Sequence, residues 1–140
     1  MADEEQLKQK YMQLQLMQQQ MEEVNKHLTM LSEQNAELEV SLEALQELEH
    51  TKVNNEFLAP IANGVFVKGE LKDTQKLVVN VGSNVTVEKT VFEVVELLRE
   101  QQIGLTANLQ EAEAVMQHLN NQAMMLYQEL QEQSKEQSKE

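Results

Sequence analysis

The sequence predicts an α+β chain: a long antiparallel coiled coil of two helices, with two β-hairpins inserted between them. Apolar residues repeat with a helical period before residue 53 and after residue 89. The single proline and three of the four glycines lie between these stretches. We therefore divide the chain into a helix over 1–52, a hairpin segment over 53–89, a helix over 90–133 and a disordered tail over 134–140.

The composition restricts the class of protein. Aromatic residues make up 4% of the chain, and the formal net charge is -13. That charge disfavours nucleic acid and anionic membranes, which both attract clustered Lys and Arg. The absence of cysteine excludes disulfides and thiolate chemistry. Because no apolar run approaches membrane-spanning length, we expect a soluble, cytoplasmic protein.

The first helix carries a coiled-coil seam whose spacing alternates between three and four residues. Because no Pro or Gly occurs before Pro60, it is expected to run to about Glu49. Lys10 and Asn35 are the polar interruptions. The seam positions are Leu7, Lys10, Leu14, Met17, Met21, Val24, Leu28, Leu31, Asn35, Leu38, Leu42 and Leu45.

The second helix is expected to begin at Thr90, because Thr90 and Glu93 form a capping-box pair. Its seam has the same spacing, and Gln102 is its polar interruption. The positions are Val91, Val95, Leu98, Gln102, Leu105, Leu109, Ala112, Met116, Leu119, Ala123, Leu126 and Leu130.

The register of the two seams is predicted from their polar interruptions. The periodicity alone also allows registers that are shifted along the seams. In the register we predict, the numbers of two facing residues add to 136 or 137, and Asn35 then faces Gln102. We expect these amides to hydrogen-bond and fix the register, a known role for buried polar seam residues. The alternative is a weak point that tolerates water, near the helix-destabilising Gly104.

The hairpin segment shows the period-two alternation of strands. We expect strands at Phe57–Ile61, Val65–Leu71, Leu77–Val81 and Val85–Val87. Pro60 confines the first to an edge or irregular position. Asp73 lies in a polar turn, and Gly82, Ser83 and Asn84 tolerate a left-handed backbone.

Four short strands cannot enclose a sufficient core, and their edges need partners. We therefore predict an obligate oligomer joined through this segment. The oligomerisation residues are Val65, Val67, Leu71, Leu77, Val79, Val81, Val85 and Val87.

The hairpin sequences Val65-Phe-Val-Lys-Gly-Glu-Leu-Lys-Asp-Thr74 and Val79-Asn-Val-Gly-Ser-Asn-Val-Thr-Val-Glu-Lys-Thr90 resemble the alpha class of prefoldin. The similarity in architecture extends from Asp3 to about Gln133. Two features depart from that pattern. The stretch 58–64 lacks the usual valine before Pro60 and one glycine, and Asn84 stands where a second glycine is common.

The resemblance implies a cytoplasmic co-chaperone without cofactors. Prefoldins form hexamers of two alpha-type and four beta-type subunits, in which the hairpins build an intersubunit β-barrel platform and the coiled coils project from it. It further implies ATP-independent capture of unfolded protein clients at the coiled-coil tips and delivery to a group II chaperonin. Assembly with beta-type subunits or with itself, including into filaments, stays open.

The candidate client-binding residues lie off the two seams, at the ends of the helices far from the hairpins. Their side chains are apolar, and flexible methionines suit varied partners. Scattered exposed Met and Leu are also normal on any helix, so this interpretation competes with a purely structural one. The residues are Tyr11, Met12, Leu16, Met124, Met125 and Tyr127.

We find no catalytic or metal-binding pattern: the three histidines are isolated and no phosphate-loop motif occurs. A holdase subunit is therefore the leading hypothesis. The competing one is a structural coiled-coil protein that polymerises through its β segment into a filament or spacer.

Overall fold

The computed structural model describes residues 2–138, and the side chains of residues 4–136. The elements follow the order α1 (Ala2–Glu49), β1 (Glu56–Ala62), β2 (Val65–Glu70), β3 (Lys76–Gly82), β4 (Val85–Thr90) and α2 (Val91–Ser138). They form two compact units. The terminal unit comprises residues up to Gln34 and from Leu105 onwards, and the hairpin unit spans Asn35–Gly104.

Helix α1 buries the predicted seam. Every one of its twelve predicted positions is buried or half-buried, and Leu48 extends the stripe towards the helix end. The remaining described side chains of α1 are exposed. Such a narrow stripe with a period near 3.5 residues is typical of a helix paired with one other helix.

Helix α2 begins where its cap predicted. The Thr90 hydroxyl accepts a hydrogen bond from the Glu93 backbone N–H at 3.2 Å. All twelve predicted seam positions are again buried or half-buried, as is Val94. The two helices therefore pack antiparallel along the predicted stripes, as the fold class required.

The C-terminal end of α2 differs from the predicted tail over 134–140. The helix continues to Ser138, and residues 139 and 140 lie outside the described residues. Gln133 is half-buried at the next seam position after Leu130. Because Gln, Glu and Lys have good helix propensity, the segment needs no apolar residues to remain helical.

The strands form two separate two-stranded antiparallel sheets, β1–β2 and β3–β4. The strand around Pro60 is longer than predicted and pairs with β2, with Pro60 opposite Phe66. Each hairpin contains an irregularity near its turn, between Pro60 and Ala62 in the first and between Asn80 and Gly82 in the second. Such β-bulges increase the local twist of a strand pair.

The second hairpin turn has the backbone that its sequence predicted. Ser83 and Asn84 both have positive φ, at 51° and 61°, and Gly82 has φ 122°. Positive φ at both central residues is the pattern of a type I′ turn, whose twist matches that of the strands.

Asp73 organises the turn between the hairpins. Its carboxylate accepts hydrogen bonds from the backbone N–H groups of Gln75 at 2.8 Å and Lys76 at 3.2 Å. These two bonds hold the pKa of Asp73 below its ordinary value of 3.8. The Gln75 carbonyl in turn accepts a bond from the Val91 N–H at 3.0 Å. The turn thereby connects β3 to the first residue of α2.

Candidate functional site

The predicted oligomerisation residues divide into two groups. Val65, Val67, Val81 and Val85 are exposed, whereas Leu71, Leu77, Val79 and Val87 are half-buried. None of the eight is fully buried within the chain. The apolar side chains of the hairpins therefore remain at least partly accessible, because no other described part of the chain fully covers them.

Further apolar side chains on the hairpins were not among the predicted residues. They belong to positions that sequence reasoning placed on the opposite face of the strands or in the irregular strand around Pro60. Selecting every large apolar residue of the segment, whichever face of its strand it lies on, would have found them. These exposed residues are Phe57, Leu58, Ile61, Phe66 and Val78.

The hairpins also expose backbone hydrogen-bonding groups. Within residues 2–138 each sheet has only two strands, so both outer edges of each hairpin lack a strand partner. A two-stranded hairpin is at best marginally stable in water, and a bare edge is a template for another strand. Together, the edges and the apolar surface form a candidate assembly site.

The six candidate client-binding residues are all exposed in the terminal unit. Their exposed fractions range from 54% for Tyr11 to 68% for Met12. Met12 and Leu16 are four residues apart and share one face of α1. Met124 and Tyr127 are three residues apart and share one face of α2.

The two candidates on α2 that share a face line an open groove of about 540 Å³ in the terminal unit. Seam residues Leu14, Met21 and Ala123 also line this groove, and Met124 and Tyr127 stand beside them. Its remaining lining residues are Gln18, Asn120, Gln128 and Gln131. We call it the neutral groove, because none of these nine residues is charged. The candidates Tyr11, Met12, Leu16 and Met125 do not line it.

A second groove in the same unit has a different character. It measures about 430 Å³, and Val24, Ala112 and Val115 contribute its apolar lining. Glu23, His27 and Glu111 also line it. Within the described residues, no group of three or more His, Cys, Asp and Glu side chains is placed to hold a metal ion.

The hydrogen bond expected between Asn35 and Gln102 is not formed. Gln102 donates its side-chain N–H to the Glu39 carboxylate instead. The Asn35 Oδ1 atom is buried and has no hydrogen-bond partner among the described residues. A carboxylate forms stronger, charge-assisted hydrogen bonds than an amide oxygen, which explains why Gln102 pairs with Glu39.

The polar contacts between the helices also bear on the register. Lys10 Nζ lies 3.3 Å from a Glu129 carboxylate oxygen in the terminal unit. These residue numbers add to 139, and those of Glu39 and Gln102 in the hairpin unit add to 141. Both sums exceed the predicted 136 or 137, but Glu129 and Glu39 lie off the seams, and helical side chains lean towards the N-terminus of their own helix. Contacting side chains of an antiparallel pair therefore have larger sums than the backbone positions that face each other, and these contacts do not distinguish the predicted register from one shifted along the seams. A regular heptad pattern alone fits several such registers.

Comparison with known proteins identifies the family of this chain. Residues 17–136 match the family described as Prefoldin subunit. The chain belongs to the prefoldin family. The fold and the sequence agree, because two hairpins between two long antiparallel helices are what the resemblance to prefoldin implied.

The similarity is to alpha subunits. The chain is 28% identical over 130 residues to prefoldin subunit alpha of Archaeoglobus fulgidus, covering 93% of this chain and 95% of that one. It is 29% identical over 118 residues to prefoldin subunit alpha of Methanococcus maripaludis, covering 84% and 75%. The alpha-class resemblance is thereby confirmed.

A solved structure shares the fold. Filamentous PFD from Methanocaldococcus jannaschii matches with a TM-score of 0.70 at 22% identity, covering 82% of this chain and 95% of that one.

As a prefoldin-family chain, this protein has a chaperone role, assembles with other prefoldin subunits and is not an enzyme. No helix within the described residues has an apolar stretch long enough to cross a bilayer.

Proposed function

We propose that this chain is a subunit of a cytoplasmic, ATP-independent holdase. Its terminal coiled coil captures non-native polypeptides and passes them to a group II chaperonin. The observation that carries the proposal is the exposure of six off-seam apolar side chains in the terminal unit, each at least half accessible. Capture needs no nucleotide, because burial of apolar client surface supplies the driving force.

Assembly through the hairpins completes this proposal. Their bare strand edges and exposed valines pair with the hairpins of other subunits, alpha-type or beta-type, to form a β-barrel. Several copies of the terminal coiled coil then act on one client. Linked weak sites bind far more tightly than one site alone, so individually modest apolar contacts suffice for capture.

The experiment replaces Met12, Leu16, Met124 and Met125 with serine in the full chain. We expect native mass spectra to show an unchanged assembly, while suppression of aggregation of a denatured test protein is lost. A matched control replaces four exposed apolar residues elsewhere on the helices, Met30, Val40, Leu97 and Ile103, with serine. If the control loses as much activity as the first variant, the proposed site is wrong.

Delivery is tested with the same client. Client held by the wild-type assembly should refold when a group II chaperonin and ATP are added, and should remain held when either is omitted. Release that proceeds equally well without the chaperonin would contradict the proposed transfer.

A structural protein is the second candidate, and the filamentous relative favours it. In that case the hairpins polymerise the chain and the helices serve as struts. Electron microscopy and sedimentation would detect the filaments. A strut would fail to suppress client aggregation, which separates the two functions.

A further inference from the structure

Two segments in the terminal unit contain no Asp, Glu, Lys or Arg: residues 11–21 of α1 and residues 114–128 of α2. We call these segments the neutral belt. A quarter of the whole chain is charged, and charged residues border the belt on both helices. Lys10 and Glu22 flank it on α1, and Glu113 and Glu129 flank it on α2. Other uncharged runs occur at residues 57–67, 77–87 and 101–110, but the two segments of the neutral belt contribute eight of the nine residues that line the neutral groove.

Amide side chains take the place of charges there. Gln18, Asn120 and Gln128 are exposed beside the apolar lining of the neutral groove. None of the three forms a side-chain hydrogen bond to another described residue. Each amide has an N–H₂ group and a carbonyl oxygen, so it can donate and accept at the same time. These are the groups that a peptide backbone needs.

Resting on the proposed function, we propose that the neutral belt binds uncharged, extended segments of non-native polypeptide through their backbone. Client side chains enter between Leu14, Met124 and Tyr127. The amides of Gln18, Asn120 and Gln128 pair with client N–H and C=O groups. A folded protein has already paired these backbone groups internally, so this mode of binding distinguishes non-native chains from native ones.

The absence of charge in the neutral belt determines which client segments bind. A client carboxylate or ammonium brought into the neutral belt would lose water without gaining a partner, which is costly. Acidic clients are disfavoured further by the carboxylates of Glu22 and Glu113 at the borders. Uncharged segments carry no such cost, and the neutral belt selects them over charged ones.

The test uses the full-length assembly and a short, capped, fluorescein-labelled peptide of alternating leucine and serine. A second peptide has the same sequence with alternate backbone nitrogens methylated, which removes donors but keeps the side chains. We expect the methylated peptide to bind at least about fivefold more weakly by fluorescence anisotropy, as the loss of roughly one net hydrogen bond implies. In a Gln18→Ala, Gln128→Ala variant this difference should shrink towards none.

A control variant, Gln46→Ala, removes an exposed glutamine outside the neutral belt and should keep the full difference between the peptides. Equal binding of both peptides to the wild type overturns the backbone mechanism while leaving capture itself intact. Absence of binding by either peptide overturns the proposed client site as well. A change in oligomeric state in the Gln18, Gln128 variant would make the neutral belt a contact between copies, and would also overturn the inference.

Discussion

Gln102 on α2 donates a hydrogen bond to Glu39 on α1, one turn beyond Asn35, and so leaves the buried Asn35 carbonyl oxygen without a partner. Asn35 therefore lowers the stability of the coiled coil, because the expected hydrogen bond to Gln102 is not formed to offset the burial of its amide. Of the two interpretations of this level of the coiled coil, the structure favours the weak point.

Replacing Asn35 with leucine should stabilise the assembled protein. The change removes an unsatisfied buried oxygen, which costs about 1–3 kcal/mol, and adds an apolar side chain to the seam. Thermal unfolding followed by circular dichroism should show a higher melting temperature. The same change at the exposed neighbour Gln34 should have little effect. A lower melting temperature for Asn35→Leu would show that Asn35 has a partner in the assembly.

Replacing Gly104 with alanine should also stabilise the protein, by about 1 kcal/mol, because glycine is unfavourable within a helix. A Cβ atom at this position meets nothing within 4 Å, so no clash offsets the gain. Gly64→Ala is the matched control, since Gly64 also has open space but a φ of 76°. There we expect destabilisation, because alanine is strained at positive φ. The same sign for both variants in chemical denaturation would contradict this account.

The seams illustrate what could be predicted from this sequence. All twenty-four seam positions that heptad spacing predicted are buried or half-buried, because a periodic apolar stripe is a local property of each helix. Among the described side chains of the helices, the prediction missed only the continuation of the stripes at Leu48 and Gln133 and the half-buried Val94. The partner of Gln102 could not be predicted in the same way. It depends on the relative shift of two helices, which a repeating pattern leaves ambiguous, and on competition between an amide and a nearby carboxylate.

The hairpin segment shows a similar division. Alternation predicted the strands, and residue identity predicted the left-handed turn at Ser83 and Asn84. Exposure on both strand faces was not predicted, because alternation assumes that one face meets a core within the same chain. Phe66 and Val78 violate that assumption, and both are exposed.

Replacing Gly69 with alanine should weaken the first hairpin. Gly69 pairs with Phe57, and an added Cβ would lie 2.5 Å from the Phe57 ring. The ring must move, at a cost of about 0.2–1 kcal/mol, the usual range for a cross-strand pair. In a Phe57→Ala background the same change should cost less. Equal costs in both backgrounds, measured by urea unfolding of the assembly, would show that the two residues are not coupled.

Asp73 should make the stability of the turn depend on acidity. Its pKa is lower in the folded protein than the ordinary 3.8, because two backbone N–H groups stabilise the charged form. The stabilisation is therefore fully present above pH 3.8 and is lost as the pH falls through the lower, folded pKa. Asp73→Ala should lower stability at neutral pH.

The difference between wild type and Asp73→Ala should then narrow in acid, as measured by denaturation at a series of pH values. Asp73→Asn is the useful control, because the amide oxygen accepts the same bonds but does not titrate. A gap between wild type and Asp73→Ala that stays constant down to the lowest pH would rule out the carboxylate as its origin.

The bare edges of the two hairpins have a consequence for the newly made subunit. Until another hairpin pairs with those edges, the chain keeps adhesive backbone and apolar groups in contact with every other protein in the cell. Pairing with another hairpin buries these groups, and mass action drives the pairing. The concentration at which this subunit stays free of non-specific association is therefore set by the concentration of its assembly partners. Where those partners are beta-type subunits, synthesis in excess of them would leave orphan chains to be degraded or to aggregate, whereas a self-assembling chain would supply its own partners.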